Sequence, residues 1–364
     1  MVSLPDRSTA RAWAAVAPLS VAAGALLSHW RVPAAWIVAA IAVSGAVALG
    51  RGRELRVNTH YYRFGRGIIG IMAGLPLVGV TPGALAPFLL PGLLFSVLTL
   101  GLGVAVGLLL ARSQSEVSRE TGVLAMLPGG ASTMPIMARD LGADYRFVAL
   151  TQYLRLLVVS VTLPLVAHLF TPPDAASAVG TVGAMGAAQE GYHFHLGATA
   201  LILAVALGGD AVGRLLRLPA SGVLGPLLLT VACGLVLPPE WSLEPPPVFA
   251  VMAFLSIGWI CGGGLSLPAL RLFARQLPAT VAFILGLMAL CAGAGWVLAR
   301  WVRASGLEGY LATTPGALET VLAISHEGGA GAVVVAMQMI RLIAVFALAG
   351  WLPRALRAWD RWRG

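Results

Sequence analysis

The chain has 364 residues, of which 58% are hydrophobic and only 11% charged, and its mean hydropathy is +0.87. A soluble globular domain carries roughly 25% charged residues, so this composition argues against a domain coated by water on all sides. All 24 basic residues are arginine, giving a net charge of +9. They stand in short clusters between apolar runs, not on a basic face with interleaved aromatics, which speaks against a nucleic-acid partner.

In chain order the apolar runs are 12–28, 32–49, 67–82, 88–111 and 147–167, then 195–213, 219–236, 248–264, 277–299 and 330–350. Crossing ~30 Å of hydrocarbon takes about 20 helical residues, and a backbone in lipid must satisfy its own hydrogen bonds, so the runs are expected to be helices. Arg7 and Arg11 before Ala12 give the start the look of a signal peptide. A second run follows almost at once and no small-residue cleavage site precedes it, so an uncleaved first helix is expected. Two further apolar stretches, 120–138 and 308–325, are interrupted by Pro-Gly, which suits re-entrant broken helices better than continuous spans. The segment 171–194 carries Asp174 and Glu190 without arginine and reads as a linker between repeats at 12–170 and 195–353.

Placing Arg7, Arg11, the group from Arg51 to Arg66, Arg112, Arg119, Arg139, Arg146, Arg214, Arg217, Arg271, Arg275 and the tail from Arg354 to Arg363 on one side satisfies the positive-inside rule. The expectation is an all-α membrane protein of about ten transmembrane helices in an inverted 5+5 repeat with two re-entrant hairpins. Both termini would be cytoplasmic and the linker external.

Three motifs recur by one nearly constant offset of ~186 residues. Arg31-Val-Pro33-Ala34 returns as Arg217-Leu-Pro219-Ala220, Pro128-Gly129 to Thr133 as Pro315-Gly316 to Thr320, and Gln152 to Arg155 as Gln338 to Arg341. With this duplication, the paired Pro-Gly-x-x-x-Thr and Gln-x-x-Arg motifs resemble the AbrB family of membrane proteins, which has also carried an ammonia monooxygenase label. The resemblance implies an inner-membrane protein of two AbrB-duplication units, named either a regulator of gene expression or a transporter.

The residues that could carry chemistry lie in these motifs. Arg155 and Arg341 fall well inside apolar runs, where a charge costs ~2.5–3.5 kcal/mol on insertion scales. They could offer bidentate donors to an anion, or cap the carbonyl end of the adjacent broken helix. Gln152 and Gln338 sit one turn away. Gly129 and Gly316 permit sharp turns beside proline, and Ser132, Thr133 and Thr320 add hydroxyls. Glu319 is either a protonatable group or a partner for one of the arginines. The expected substrate-binding set is therefore Arg155, Arg341, Gln152, Gln338, Gly129, Ser132, Thr133, Gly316, Glu319 and Thr320.

No enzyme, cofactor or metal centre is expected. Cys233, Cys261 and Cys291 lie singly in apolar runs. Of the six histidines only His193 and His195 are close together, and a copper site needs more imidazoles or carboxylates than that. No P-loop or dinucleotide fingerprint supports ATP-driven transport. The leading expectation is secondary transport of a small organic anion, such as a carboxylate, with the bilayer and that solute as partners and a homo-oligomer open. The alternative is a membrane-embedded sensor that affects gene expression.

Overall fold

The structure, a computed structural model, describes residues 7–30, 32, 34–128, 133–170, 196–218, 220–238, 241, 243–264, 267–327 and 330–345. Among them the regular elements are helices. They run α1 Arg7–His29, α2 Ala35–Arg51, α3 Thr59–Gly74, α4 Pro82–Ser113, α5 Arg119–Met126, α6 Thr133–Asp140 and α7 Tyr145–Phe170. There follow α8 Leu196–Leu215, α9 Ser221–Val236, α10 Pro247–Gly263, α11 Leu267–Leu272, α12 Leu277–Val302, α13 Gly306–Thr313, α14 Leu318–Glu327 and α15 Ala332–Val345.

The expectation of ten transmembrane helices is corrected by helix length. Five helices among the described residues are long and apolar enough to cross a membrane: Arg11–His29, Gly83–Ser113, Tyr145–Leu163, Gly197–Leu215 and Leu277–Val302. The apolar helices Ala35–Arg51, Ser221–Val236, Pro247–Gly263 and Ala332–Val345 are shorter. At 1.5 Å per residue, 17 residues reach only about 26 Å, less than the ~30 Å hydrocarbon core. An inverted 5+5 repeat is likewise not evident, because three of the five long helices precede the linker and two follow it. The two Pro-Gly stretches each form a pair of short helices, α5 with α6 and α13 with α14, broken after Met126 and after Thr313. The linker 171–194 lies outside the described residues.

Two compact units are present. The first comprises 1–79, 160–268 and 322–329, and α3 is its axis. Glycines let α3 approach three neighbours at backbone distance: a Cβ at Gly65 would lie 2.0 Å from Ser256 Oγ on α10, at Gly67 2.1 Å from the Ala206 carbonyl on α8, and at Gly70 2.4 Å from the Val223 carbonyl on α9. Small residues of this kind let helix backbones pack closely. Asn58 caps α3, its side chain accepting from His60 N at 2.8 Å and Tyr61 N at 3.3 Å. Trp259 on α10 donates from Nε1 to Ser20 Oγ at 2.9 Å and stacks edge-on with Trp13, centroids 5.0 Å apart. Ala34 and Ala220, the last residues of the two Arg-x-Pro-Ala motifs, share the left-handed conformation, with φ 50° and 48°, as they enter α2 and α9.

The second unit comprises 80–159, 269–321 and 330–364. Its long helices α4 and α12 pack together, α5 packs on α4, and α13 packs on α12. Each short helix is seated by a reciprocal glycine pair. A Cβ at Gly107 would lie 2.6 Å from the Gly122 carbonyl, and one at Gly122 2.4 Å from the Gly107 carbonyl. Gly295 and Gly309 repeat the arrangement at 2.5 and 2.3 Å.

Candidate functional site

The site lies in the second unit, where α5 and α13 end. A helix leaves its last four carbonyls without intrahelical partners, and two buried Gln-x-x-Arg units supply donors to them. On α7, Gln152 donates from Nε2 to the carbonyls of Leu124 at 2.8 Å, Ala125 at 3.2 Å and Leu127 at 3.2 Å. Arg155 donates from Nη1 to the carbonyls of Leu127 at 2.7 Å and Met126 at 3.3 Å, and from Nη2 to Gln152 Oε1 at 2.8 Å. Glutamine and arginine three residues apart lie on one helix face, so a single face of α7 holds the whole end of α5.

The α13 end is held in the same way from α15. Gln338 donates from Nε2 to the carbonyls of Leu311 at 2.6 Å and Ala312 at 3.3 Å. Arg341 donates from Nη1 to the Thr314 carbonyl and from Nη2 to the Gly316 carbonyl at 3.5 Å. All four side chains are buried, Gln152 and Gln338 completely and Arg155 to 1% exposure. Thr313 Oγ1 adds a bond to the Cys291 carbonyl of α12 at 2.8 Å. The arrangement is a set of charge-assisted and amide donors closing two short-helix ends in an apolar interior.

Of the other predicted site residues, Glu319 stands half-buried in the first turn of α14, where the helix terminus favours a negative charge. Thr320 is fully buried and its Oγ1 has no hydrogen-bond partner among the described residues. Thr133 opens α6. Gly129 and Ser132, and the pair His193 and His195, lie outside the described residues. The structure thus brings Arg155 with Gln152, and Arg341 with Gln338 and Gly316, around the two short-helix ends.

Sequence reasoning missed a second pair of ties at the other end of these helices. Ser305 and Glu308 form a capping box on α13, with Glu308 N donating to Ser305 Oγ at 3.1 Å and Ser305 N to Glu308 Oε2 at 2.8 Å. Glu308 Oε1 also accepts from Gly331 N at 3.0 Å, just before α15. On α5, Ser118 caps through Thr121 N at 3.2 Å, and Thr121 Oγ1 accepts from Asp144 N at 3.0 Å, just before α7. The Ser-x-x-Glu spacing was the available signal. Ser305→Ala should therefore cost about 1 kcal/mol, measured as a lowered unfolding midpoint. An unchanged midpoint would show that Glu308 alone holds the turn.

These features define a class: a helical protein with, among its described residues, five helices of membrane-spanning length and two short helices clamped by buried glutamine and arginine. Residues 36–357 match the family model described as Transition state regulatory protein AbrB, and the chain belongs to that AbrB family. It is 34% identical over 338 residues to a protein of Escherichia coli (strain K12) named "Putative regulator AbrB", covering 91% of each chain. It is 26% identical over 221 residues to "Uncharacterized protein YhjN" of Bacillus subtilis (strain 168), covering 58% of this chain and 56% of that one. No solved structure matches.

The family membership corrects several expectations. A family described as regulatory overturns secondary transport of an organic anion, and with it the partner set of an anionic solute without nucleic acid. The expected placement as a multi-pass inner-membrane protein with both termini cytoplasmic is overturned too: the family and relative are named as regulators, and among the described residues five helices, not ten, are of spanning length. The family is one of regulators, and the chain is not an enzyme. Among the described residues no group of three or more histidine, cysteine or acidic side chains could hold a metal.

Proposed function

We propose that this chain is a regulatory protein that affects gene expression while its apolar helices associate with a lipid bilayer. The observation that carries the regulatory part is the match over 36–357 to a family described as a transition state regulatory protein. The membrane part rests on the five long apolar helices and on the large apolar side chains they leave exposed, such as Leu89, Leu93 and Val97 on α4 and Leu285, Leu290 and Val297 on α12. In water so large an apolar surface would drive aggregation; against acyl chains it is the favourable outer face of a helical body.

An internal duplication fits the paired geometry. Two Gln-x-x-Arg units, two reciprocal glycine pairs and two serine caps occur at matching positions along the chain. On this reading Arg155, Arg341, Gln152, Gln338 and Gly316 form the internal clamp of the regulator, and Glu319 and Thr320 stand beside it. Repeats at 12–170 and 195–353 with a connecting segment 171–194 remain the division that suits these pairs.

The test is deletion of the gene in its own host, complemented by the unaltered chain, with transcripts counted across the transition out of rapid growth. A reproducible change on deletion that complementation reverses is the expected result. Transcript levels unmoved by deletion would remove the regulatory reading. In parallel, the protein should sediment with membranes and resist extraction at alkaline pH; release into the soluble fraction would remove the membrane part alone.

A further inference from the structure

The first unit gathers arginines around one acid. Asp210 on α8 is buried, and its Oδ1 accepts from Ser221 Oγ at 2.7 Å, where α9 begins. Its Oδ2 meets two guanidiniums at once, Arg63 Nε of α3 at 3.4 Å and Arg214 Nη2, one turn along α8, at 3.2 Å. Arg66 stands three residues after Arg63, on the same face of α3. It lies against α9, where a Cβ on Gly222 would be 3.1 Å from its guanidinium carbon. Three guanidiniums therefore surround one carboxylate. Each guanidinium has five N–H donors, and Asp210 engages a single nitrogen of Arg63 and of Arg214. The group thus keeps both excess positive charge and donors, and the excess reaches the surface: the side chains of Arg63 and Arg214 are 40% and 60% exposed.

The surface beside these arginines is apolar. The chain leaves α8 as Arg214-Leu215-Leu216-Arg217, with Leu215 82% and Leu216 55% exposed between two exposed arginines. Leu207, Gly208 and Ala211 continue the exposed face of α8 at the three- and four-residue spacing of one helix side. A Cβ on Gly208 would meet nothing within 4 Å, so no neighbouring helix covers this track. A nucleic-acid backbone could use the arginines but would leave the leucines in water. A partner that satisfies both has two parts, an anionic head and a hydrocarbon tail.

We propose that this surface binds an anionic phospholipid, one whose phosphodiester headgroup carries no compensating cation. The phosphate oxygens accept from the guanidiniums of Arg63 and Arg214, and an acyl chain lies along α8 over Leu215, Ala211 and Leu207. Asp210 is the positioning residue: its single oxygen holds together two like charges that would otherwise repel. A choline headgroup presents the same phosphate with a trimethylammonium attached, which the arginine group repels. The proposal rests on the membrane part of the proposed function and adds to it the class of lipid that the chain selects.

The test is native mass spectrometry of the detergent-purified full chain titrated with phosphatidylglycerol or phosphatidylcholine of identical acyl chains, with inorganic phosphate and a short DNA duplex as separate arms. The unaltered protein should bind phosphatidylglycerol about tenfold more tightly than phosphatidylcholine, the worth of one charge-assisted hydrogen bond. Arg214→Gln, at an exposed position, should reduce that preference while leaving the unfolding midpoint in lipid-free detergent unchanged, and Arg63→Gln added to it should abolish the preference. Arg112→Gln removes the same charge from the last turn of α4, in the second unit, and should leave the preference intact. Leu215→Asn should weaken both lipids alike. Equal binding of the two lipids, a preference undiminished in Arg214→Gln, or one lost equally in Arg112→Gln overturns the assignment. Displacement of the lipid by equimolar inorganic phosphate overturns it in favour of the free anion, and tighter binding of the duplex through the same arginines overturns it in favour of nucleic acid. Failure of the membrane reading looks different, since the protein would then stay in the soluble fraction and bind neither lipid.

Discussion

Replacing Arg155 by leucine is expected to destabilise the protein by about 3 kcal/mol, the balance of two opposing effects. The loss arises because three acceptors sit against that guanidinium: the carbonyls of Met126 and Leu127 and Oε1 of Gln152. A buried acceptor without a donor costs ~1–3 kcal/mol. Leu127 keeps a bond from Gln152 Nε2 at 3.2 Å, so it is only partly orphaned, whereas Met126 ends α5 and loses its side-chain donor. Against this, leucine relieves the desolvation of a buried charge, which is why replacing buried charges by apolar groups is sometimes nearly neutral. Here the acceptors are not removed with the charge, and the loss should win. Arg155→Lys should recover less than half, because a single ammonium cannot span three acceptors in the planar fork's geometry.

The same network makes a coupling prediction. Gln152→Leu alone removes the bonds to Leu124, Ala125 and Leu127 and should also cost a few kcal/mol by the same reasoning. The double variant should be less destabilised than the sum of the two, by ~0.5–3 kcal/mol, because both side chains serve Leu127 and bond each other. Unfolding midpoints of the four proteins in one detergent decide this. Strict additivity would mean that the two side chains hold α5 independently.

The sequence reveals helices well and their lengths poorly. Each of the ten apolar runs overlaps a helix among the described residues, since apolar runs of this length are too long for buried strands. The number that can span a bilayer was overestimated, because hydropathy continues through turns that end a helix. The run 67–82 shows this: α3 stops at Gly74, and a short 3₁₀ turn over Leu75–Leu77 with Pro76 follows, so half the run is not α-helix. Proline beside glycine located both breaks, at Pro128 and Pro315. The motifs Gln152 to Arg155 and Gln338 to Arg341 were legible as a pair from their spacing. What each pair touches was not, since the partners are backbone carbonyls ~25–29 residues earlier and a carbonyl has no sequence signature. Function was least legible, because a charge inside an apolar run has the same appearance whether it meets a ligand or a helix end.

The seating of the short helices leads to the second large effect, a contrast between two glycines on one helix. Gly107 and Gly101 both lie in α4, six residues apart, and propensity alone predicts that alanine at either should stabilise a helix by roughly 0.5–1 kcal/mol. Their surroundings differ. A Cβ at Gly101 meets nothing within 4 Å, while one at Gly107 would lie 2.6 Å from the Gly122 carbonyl and 2.7 Å from Val123 Cα. Those are backbone atoms of α5, so no side chain can rotate away, and α5 must move as a body. Moving it withdraws the carbonyls of Leu124 to Leu127 from Gln152 and Arg155, which adds lost hydrogen bonds to the overpacking penalty of ~1–3 kcal/mol. Gly107→Val should therefore destabilise by at least ~3 kcal/mol, reading the upper end of that range. Gly101→Ala should be neutral or slightly stabilising. Gly295 stands against Gly309 as Gly107 stands against Gly122, so Gly295→Val should match Gly107→Val in size. Unfolding midpoints of the three variants beside the unaltered chain provide the measurement. A Gly107→Val protein as stable as Gly101→Ala would mean that α5 is not held at backbone contact, and the clamp formed by Gln152 and Arg155 would then have no fixed helix end to grip.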